Sequence, residues 1–341
     1  MTNDCLTAGV DLDRPADEQS AAASFLTNPW IRFLLRRFGR LVVSTWVLVT
    51  VGFLMIHLVP GDPVRSALGP DASHALVEER RQALGLGDPL WQQYLDYLGH
   101  LLSWNLGESI LSGQQVTELL AESLPPTLEI ALLGFAFAIV VSVPLGTAMA
   151  ALTRGGRGRR MELTFTSTSV VVGAIPEFLL AVGLVYVFAV KLEWVPIATR
   201  SGADSYILPV LALGIGPALI LARILRVELL AVLGADFVRT ARAKRMPFWR
   251  INVRHALPNA LTAVLTLAGL LVGGMVAGTV LVETVFAWPG LGSTIVESIV
   301  AKDYPVVQAI VLVYGVGVLL INLLVDIALA IIDPRSTIQE S

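Results

Sequence analysis

The chain has 341 residues, 55% of them hydrophobic and 15% charged, with a formal net charge of -3. A soluble globular domain carries about 25% charged residues, so this composition excludes one, and the mean hydropathy of +0.72 points to a lipid environment. The single cysteine, Cys5, excludes an intramolecular disulfide.

Residues 1–28 hold Asp4, Asp11, Asp13, Asp17 and Glu18 among small polar residues, which predicts a disordered tail rather than a cleavable signal peptide. From Pro29 onward Arg32, Arg36, Arg37 and Arg40 alternate with Phe33, Leu34, Leu35 and Phe38, predicting an interfacial helix over 29–40. Six apolar runs follow, at 41–59, 127–152, 163–190, 206–231, 262–287 and 306–332. Each can cross a hydrocarbon core of about 30 Å at about 1.5 Å per residue, whereas buried helices of a soluble core need only ~10–14 residues. Backbone groups in lipid must be satisfied within their own segment, so the runs are predicted to be six transmembrane helices.

Between the runs the chain alternates sides. The first run stops at Pro60-Gly61-Asp62-Pro63 and opens a lobe at 60–126. Within it, Leu90, Trp91, Tyr94, Leu95, Leu98, Leu101 and Leu102 share one side of an amphipathic helix over 89–104. That helix either rests on the bilayer or neighbouring spans, or belongs to a lobe that receives an external partner. Residues 153–161 form a short basic loop. Residues 232–261 are longer, with six Lys or Arg residues and a helix–turn–helix pattern broken at Pro247. Taken alone, that segment reads as topology and lipid headgroup contact. Gly269, Gly273, Gly274 and Gly278 give the fifth run a face for close helix packing. The last run ends at Asp333-Pro334-Arg335, ahead of a tail at 336–341.

Of the 24 Lys and Arg residues, 18 fall on the side that holds the N-terminus, so both termini and 232–261 are expected in the cytoplasm and 60–126 outside. Lys191, Lys244 and Lys302 lie in no phosphate-binding loop, the four histidines form no zinc motif, and no nucleophile elbow occurs. The residues therefore offer no catalytic or metal site. Glu129, Glu177, Arg223, Arg226, Glu283 and Asp326 do lie inside apolar runs, where a charge costs about 2.5–3.5 kcal/mol or more. Pro176 precedes Glu177 at mid-run and is expected to free the Val172 carbonyl, giving a kink that faces a pore or a carboxylate that secures packing. In a transporter or channel driven by an ion gradient, Glu177, Glu283 and Asp326 would be the proton or cation sites.

Several motifs recur together: Pro60-Gly61-Asp62-Pro63, Leu84-Gly85-Leu86-Gly87-Asp88-Pro89-Leu90, Pro125-Pro126-Thr127-Leu128-Glu129 and Ile175-Pro176-Glu177-Phe178. Phe237-Val238-Arg239-Thr240-Ala241-Arg242-Ala243-Lys244, His255-Ala256-Leu257-Pro258-Asn259-Ala260, Val282-Glu283-Thr284 through Trp288-Pro289-Gly290-Leu291-Gly292, Asp303-Tyr304-Pro305 and Asp333-Pro334-Arg335 complete the set. With them the chain, from about Arg36 to Arg335, resembles permeases of binding-protein-dependent ABC importers of the dipeptide, oligopeptide and nickel type. The resemblance implies an all-α type I ABC importer permease fold in the bacterial cytoplasmic membrane, forming half of a translocation pore. It implies as partners a second homologous permease, two ATP-binding subunits or domains that carry ATP and magnesium, and an external substrate-binding protein; nucleic acid is not among them. It makes the segment at 232–261 a coupling region that docks on the ATPase through Phe237, Thr240, Ala241, Arg242, Ala243, Lys244 and Arg245. Pro176, Glu177, Glu283 and Asp326 are the candidate pathway residues. Di- or oligopeptides are the leading cargo, with nickel chelates, glutathione and haem as alternatives. Arg245 stands where such permeases usually carry glycine, so it must adopt another turn or bear strain.

Overall fold

A computed structural model describes residues 29–332 apart from 59–63, 66–68, 70–71, 84–86, 157 and 196–201. The tails at 1–28 and 336–341, the Pro60-Gly61-Asp62-Pro63 turn, Leu84-Gly85-Leu86 and Asp333-Pro334-Arg335 lie outside the described residues.

The chain opens with α1 (Pro29–Leu58) as one continuous helix, so the expected interfacial helix over 29–40 is the start of the first span's own helix. A lone Gly39 costs about 1 kcal/mol, too little to break a helix with apolar periodicity on both sides. Helices α2 (His74–Ala83) and α3 (Leu90–Leu102) follow. The Tyr94 hydroxyl of α3 is 2.7 Å from Thr50 Oγ1, and its ring meets Phe53 edge-on at 5.2 Å. The amphipathic helix thus packs on a neighbouring span, leaving Leu90, Trp91, Leu95 and Leu102 exposed.

Helix α4 (Val116–Thr153) begins well before the expected 127 and runs through Pro125, Pro126 and Pro144. Prolines are tolerated in apolar helices whose neighbours supply replacement partners. The run expected as one span at 163–190 is broken: α5 (Arg159–Gly173) and α6 (Glu177–Lys191) meet at 98°. Pro176 has no amide to donate and pushes Ile175 out of helical geometry. The Val172 carbonyl, expected to be free, instead accepts the Ile175 amide at 3.1 Å.

Next come α7 (Ile207–Val232) and the short α8 (Asp236–Ala243). The second limb of the expected helix–turn–helix is not separate. It passes through a π-helical turn, Ile251–Ala256, into α9 (Phe248–Phe286). Helix α10 (Leu291–Ala301), which the apolar runs did not reveal, precedes α11 (Tyr304–Ile332). Among the described residues, α1, α4, α7, α9 and α11 are each long and apolar enough to cross a membrane, and α5–α6 adds a sixth if the bent pair is one span.

Packing centres on α4 and α7. A Cβ at Gly146 would stand 2.7 Å from the Ala222 carbonyl oxygen, and one at Gly214 would stand 2.9 Å from that of Gly134, so both backbones approach where side chains are missing. Two glycines of α9 serve close contacts within the chain: a Cβ at Gly269 would overlap Val325 of α11, and one at Gly278 would overlap the Glu177 carboxylate. One end of the bundle gathers Arg154, Arg226, Arg239 and Arg242 and is called the basic end; the other, with α10, is the far end.

Candidate functional site

At the basic end α8 is held between the last turn of α7 and the start of α9. Val238 (0% exposed) and Ala241 (8%) turn inward and pack in one cluster with Leu229, Leu233, Ile251 and Ala256. Phe237, Thr240, Arg242, Ala243, Lys244 and Arg245 are exposed. The sequence grouped Ala241 with the docking residues; the structure places its methyl on the face that binds α8 to its own bundle. Arg242 Nη2 donates to the Leu233 carbonyl at 2.9 Å, tying α8 back to α7.

The turn after α8 answers the question raised by Arg245. Its φ is 53°, in the left-handed region where glycine is favoured. The Arg245 amide donates to the Arg242 carbonyl at 2.8 Å and the Met246 amide to the Ala241 carbonyl at 3.3 Å, which is the Schellman helix stop. Met246 then packs into the same cluster as Ala241, the apolar contact that accompanies this motif. The turn usually made by glycine is kept, and arginine bears the strain, about 1–2 kcal/mol.

Next to α8, Arg226 is 7% exposed and joins three helices. It pairs with Glu162 of α5 at 2.7 Å, and its Nε donates to Thr153 Oγ1 of α4 at 2.9 Å. The sequence reading places Arg226 inside an apolar run and does not single out Glu162. The two lie far apart in the chain, and no local pattern joins them.

The candidate pathway residues do not form one site. Glu177 is half-buried at the first turn of α6, where a helix N-terminus favours a carboxylate, and it packs against Gly278 of α9. Asp326 of α11 forms an ion pair with Arg37 of α1. Glu283 lies at the far end with no exposed surface. It accepts the Gly292 amide at 2.6 Å and the Ser293 amide at 3.3 Å, while Thr127 Oγ1 accepts the Leu291 amide at 2.8 Å. Together these side chains satisfy first-turn donors of α10 that have no partner within the helix. Gly292 permits the approach, since a Cβ there would stand 2.8 Å from a Glu283 oxygen.

Neighbouring groups extend this far-end network. Trp288 Nε1 donates to the Pro126 carbonyl at 3.1 Å, and its ring meets Tyr206 edge-on at 4.7 Å. The Tyr206 hydroxyl donates to Glu129 at 2.7 Å, which accounts for another charge in an apolar run. Asp303 is 3% exposed and accepts the Ser109 hydroxyl and, at 3.2 Å, the Ile110 amide, fastening the segment before α4 to the loop before α11.

Residues 142–338 match the family described as binding-protein-dependent transport system inner membrane component, and residues 30–131 match the N-terminal part of the membrane component of such systems. The glutathione transport system permease protein GsiC of Escherichia coli (strain K12) is 34% identical, over 89% of this chain and 98% of that protein. GsiC of Salmonella typhimurium (strain LT2) is 36% identical over the same shares. Among solved structures, one of the inward-facing conformations of the MetNI methionine ABC transporter aligns with a TM-score of 0.54 at 20% identity, over 64% of this chain and 97% of that one.

Proposed function

Since the chain belongs to the family of binding-protein-dependent transport system inner membrane components, we propose that α8 is the element through which an ATP-hydrolysing partner drives it. The chain is a multi-pass membrane protein with the type I ABC importer permease fold, and it is the permease component of such an importer. The proposal concerns how the work reaches it. The disposition of α8 carries the reading: one face is buried against α7 and α9, and the other offers Phe237, Thr240, Ala243 and Lys244 to a partner. A short helix fixed to two spans passes a rigid-body displacement into both.

In this reading ATP and magnesium are held by two partner subunits or domains. A second homologous permease completes the pore, and a substrate-binding protein delivers cargo at the far end. The basic bias supports placing both termini and 232–261 in the cytoplasm and 60–126 outside. The cargo is a small peptide. Relatives named as glutathione permeases make glutathione, itself a tripeptide, the first compound to test. Glu177, at the bend between α5 and α6, is the pathway candidate of the four; Glu283 and Asp326 act through the helices they join.

Tryptophan at Thr240 and Ala243 together leaves the buried face of α8 intact. The double variant should insert normally and lose substrate-stimulated ATP hydrolysis by the co-expressed ATPase; wild-type uptake would refute docking through this face. For sidedness, cysteines placed at 75 and 250 after replacement of Cys5 are labelled in intact cells. Position 75 should react without permeabilisation and position 250 only after it. Glu177→Gln should assemble normally and change uptake kinetics, and unchanged kinetics across several peptides would remove it from the pathway.

A further inference from the structure

The basic end carries an open cavity of about 540 Å³ between the connection after α4 and the last turns of α7 and α8, and Arg154, Glu162, Arg226, Arg239 and Arg242 are among its lining residues. Two of the arginines are neutralised: Arg226 by Glu162 at 2.7 Å, and Arg239 by Asp236 at 3.1 Å. The other two, among the described residues, meet no carboxylate. Arg242 is held by one bond to the Leu233 carbonyl, and Arg154 lies over the Phe248 ring at 5.4 Å. A guanidinium has five N–H donors, so each keeps donors beyond those contacts. Gly155 and Gly156, at the same rim, are both left-handed with φ of 69° and 77°, and they present backbone without side chains.

We propose that this cavity binds a phosphate group, carried by an anionic phospholipid headgroup or present as free phosphate. Two guanidinium forks around one volume match the geometry of phosphate oxygens and bring a charge that the protein leaves uncompensated. The volume falls within the ~300–1,000 Å³ of small-molecule sites, and inorganic phosphate would leave most of it empty. The position favours a lipid source, because Arg154 directly follows the end of α4 and Arg226 lies in the last turns of α7, at the level where spans meet headgroups. Basic pockets between spans take anionic lipid heads in this way. Such a ligand would bridge the α4–α5 connection and α8. Its binding is read out without transport, so it stands apart from the proposed ATPase docking.

The test uses the purified, delipidated full chain in neutral detergent. Retention of phosphatidylglycerol is compared by mass spectrometry with that of a galactolipid, which has no phosphate, for wild type, Arg154→Gln and Arg154→Lys. Wild type should retain phosphatidylglycerol preferentially, and Arg154→Gln should lose about tenfold, the scale of one charge-assisted hydrogen bond. Arg154→Lys, which keeps the charge but not the fork, should lie between them. Helical circular dichroism should match in all three. If millimolar inorganic phosphate alone raises the melting temperature and displaces the lipid, free phosphate is the ligand. Equal retention of the two lipids with no response to phosphate, or no loss in Arg154→Gln, overturns the proposal.

Discussion

The far end and the basic end of this bundle join their helices by opposite means. At the far end, carboxylates meet backbone amides: Glu283 holds Gly292 and Ser293, and Asp303 holds Ile110. At the basic end, arginines on long stems reach across a cavity, and beside it a short helix ends in a left-handed arginine. An amide fixed in a helix N-terminus offers one geometry, so the far-end network keeps one arrangement. A guanidinium on four rotatable bonds can follow its partner through a displacement. The same bundle thus has single-geometry anchors at one end and adaptable ones at the other, set by which atoms make the contacts.

The largest loss of stability is expected at Glu283. In Glu283→Ala the buried amide of Gly292 and the partly buried amide of Ser293 lose their acceptor, and a buried orphaned group costs about 1–3 kcal/mol. The melting temperature of the purified protein should fall further than for any single change at the basic end. A near-native melting temperature would mean that α10 does not need this anchor.

Arg226→Ala is expected to cost less, about 2 kcal/mol, because Glu162 is 38% exposed and can turn to water once its partner is gone. Arg226→Met with Glu162→Leu removes both charges and should recover most of the loss, since a buried ion pair and an apolar pair of similar volume are often equivalent. If the double variant melts no higher than Arg226→Ala, the pair does more than balance charge.

Much of this fold can be read from the sequence. Five of the six runs became long helices because length and hydropathy alone decide whether a segment fits lipid. The sixth broke at Pro176, where the sequence marked a kink but not the 98° turn, which depends on α9 offering Gly278 as a seat for Glu177. Helix α10 escaped notice because it is short and is anchored in part by Thr127 from a distant segment, besides Glu283 in the last turn of α9. The resemblance alone proposes α8 as a docking segment, while its buried face, Val238 and Ala241, needed the packing of α7 and α9. Long-range pairs such as Arg226 with Glu162, or Asp303 with Ser109, leave no local periodicity to read.

The bend between α5 and α6 lies between the two ends and tests whether rigidity is graded. Gly278→Ala sets a methyl group against the Glu177 carboxylate, so α6 must shift or Glu177 must change rotamer, at about 1–2 kcal/mol. Combining it with Glu177→Ala should restore the lost stability, because the obstruction is then removed. A Gly278→Ala protein as stable as wild type would show that the bend yields freely.

The smallest effect is expected at Arg245, and its sign is opposite to the rest. With φ at 53°, arginine pays a steric cost that glycine does not, while glycine loses more backbone entropy on folding. The steric term is the larger, so Arg245→Gly should stabilise the turn by about 1 kcal/mol, a roughly fivefold slowing of local opening. Hydrogen exchange at the Arg245 and Met246 amides reports it, because both close the Schellman turn onto Arg242 and Ala241. Arg245→Ala serves as the control: it removes the guanidinium and keeps the Cβ, so exchange should stay near that of wild type. Faster exchange in both variants would show that the arginine head, and not the backbone, holds the turn. Slower exchange in glycine alone would show that this chain carries strain at the hinge of its proposed docking helix, on the end of the bundle suited to movement.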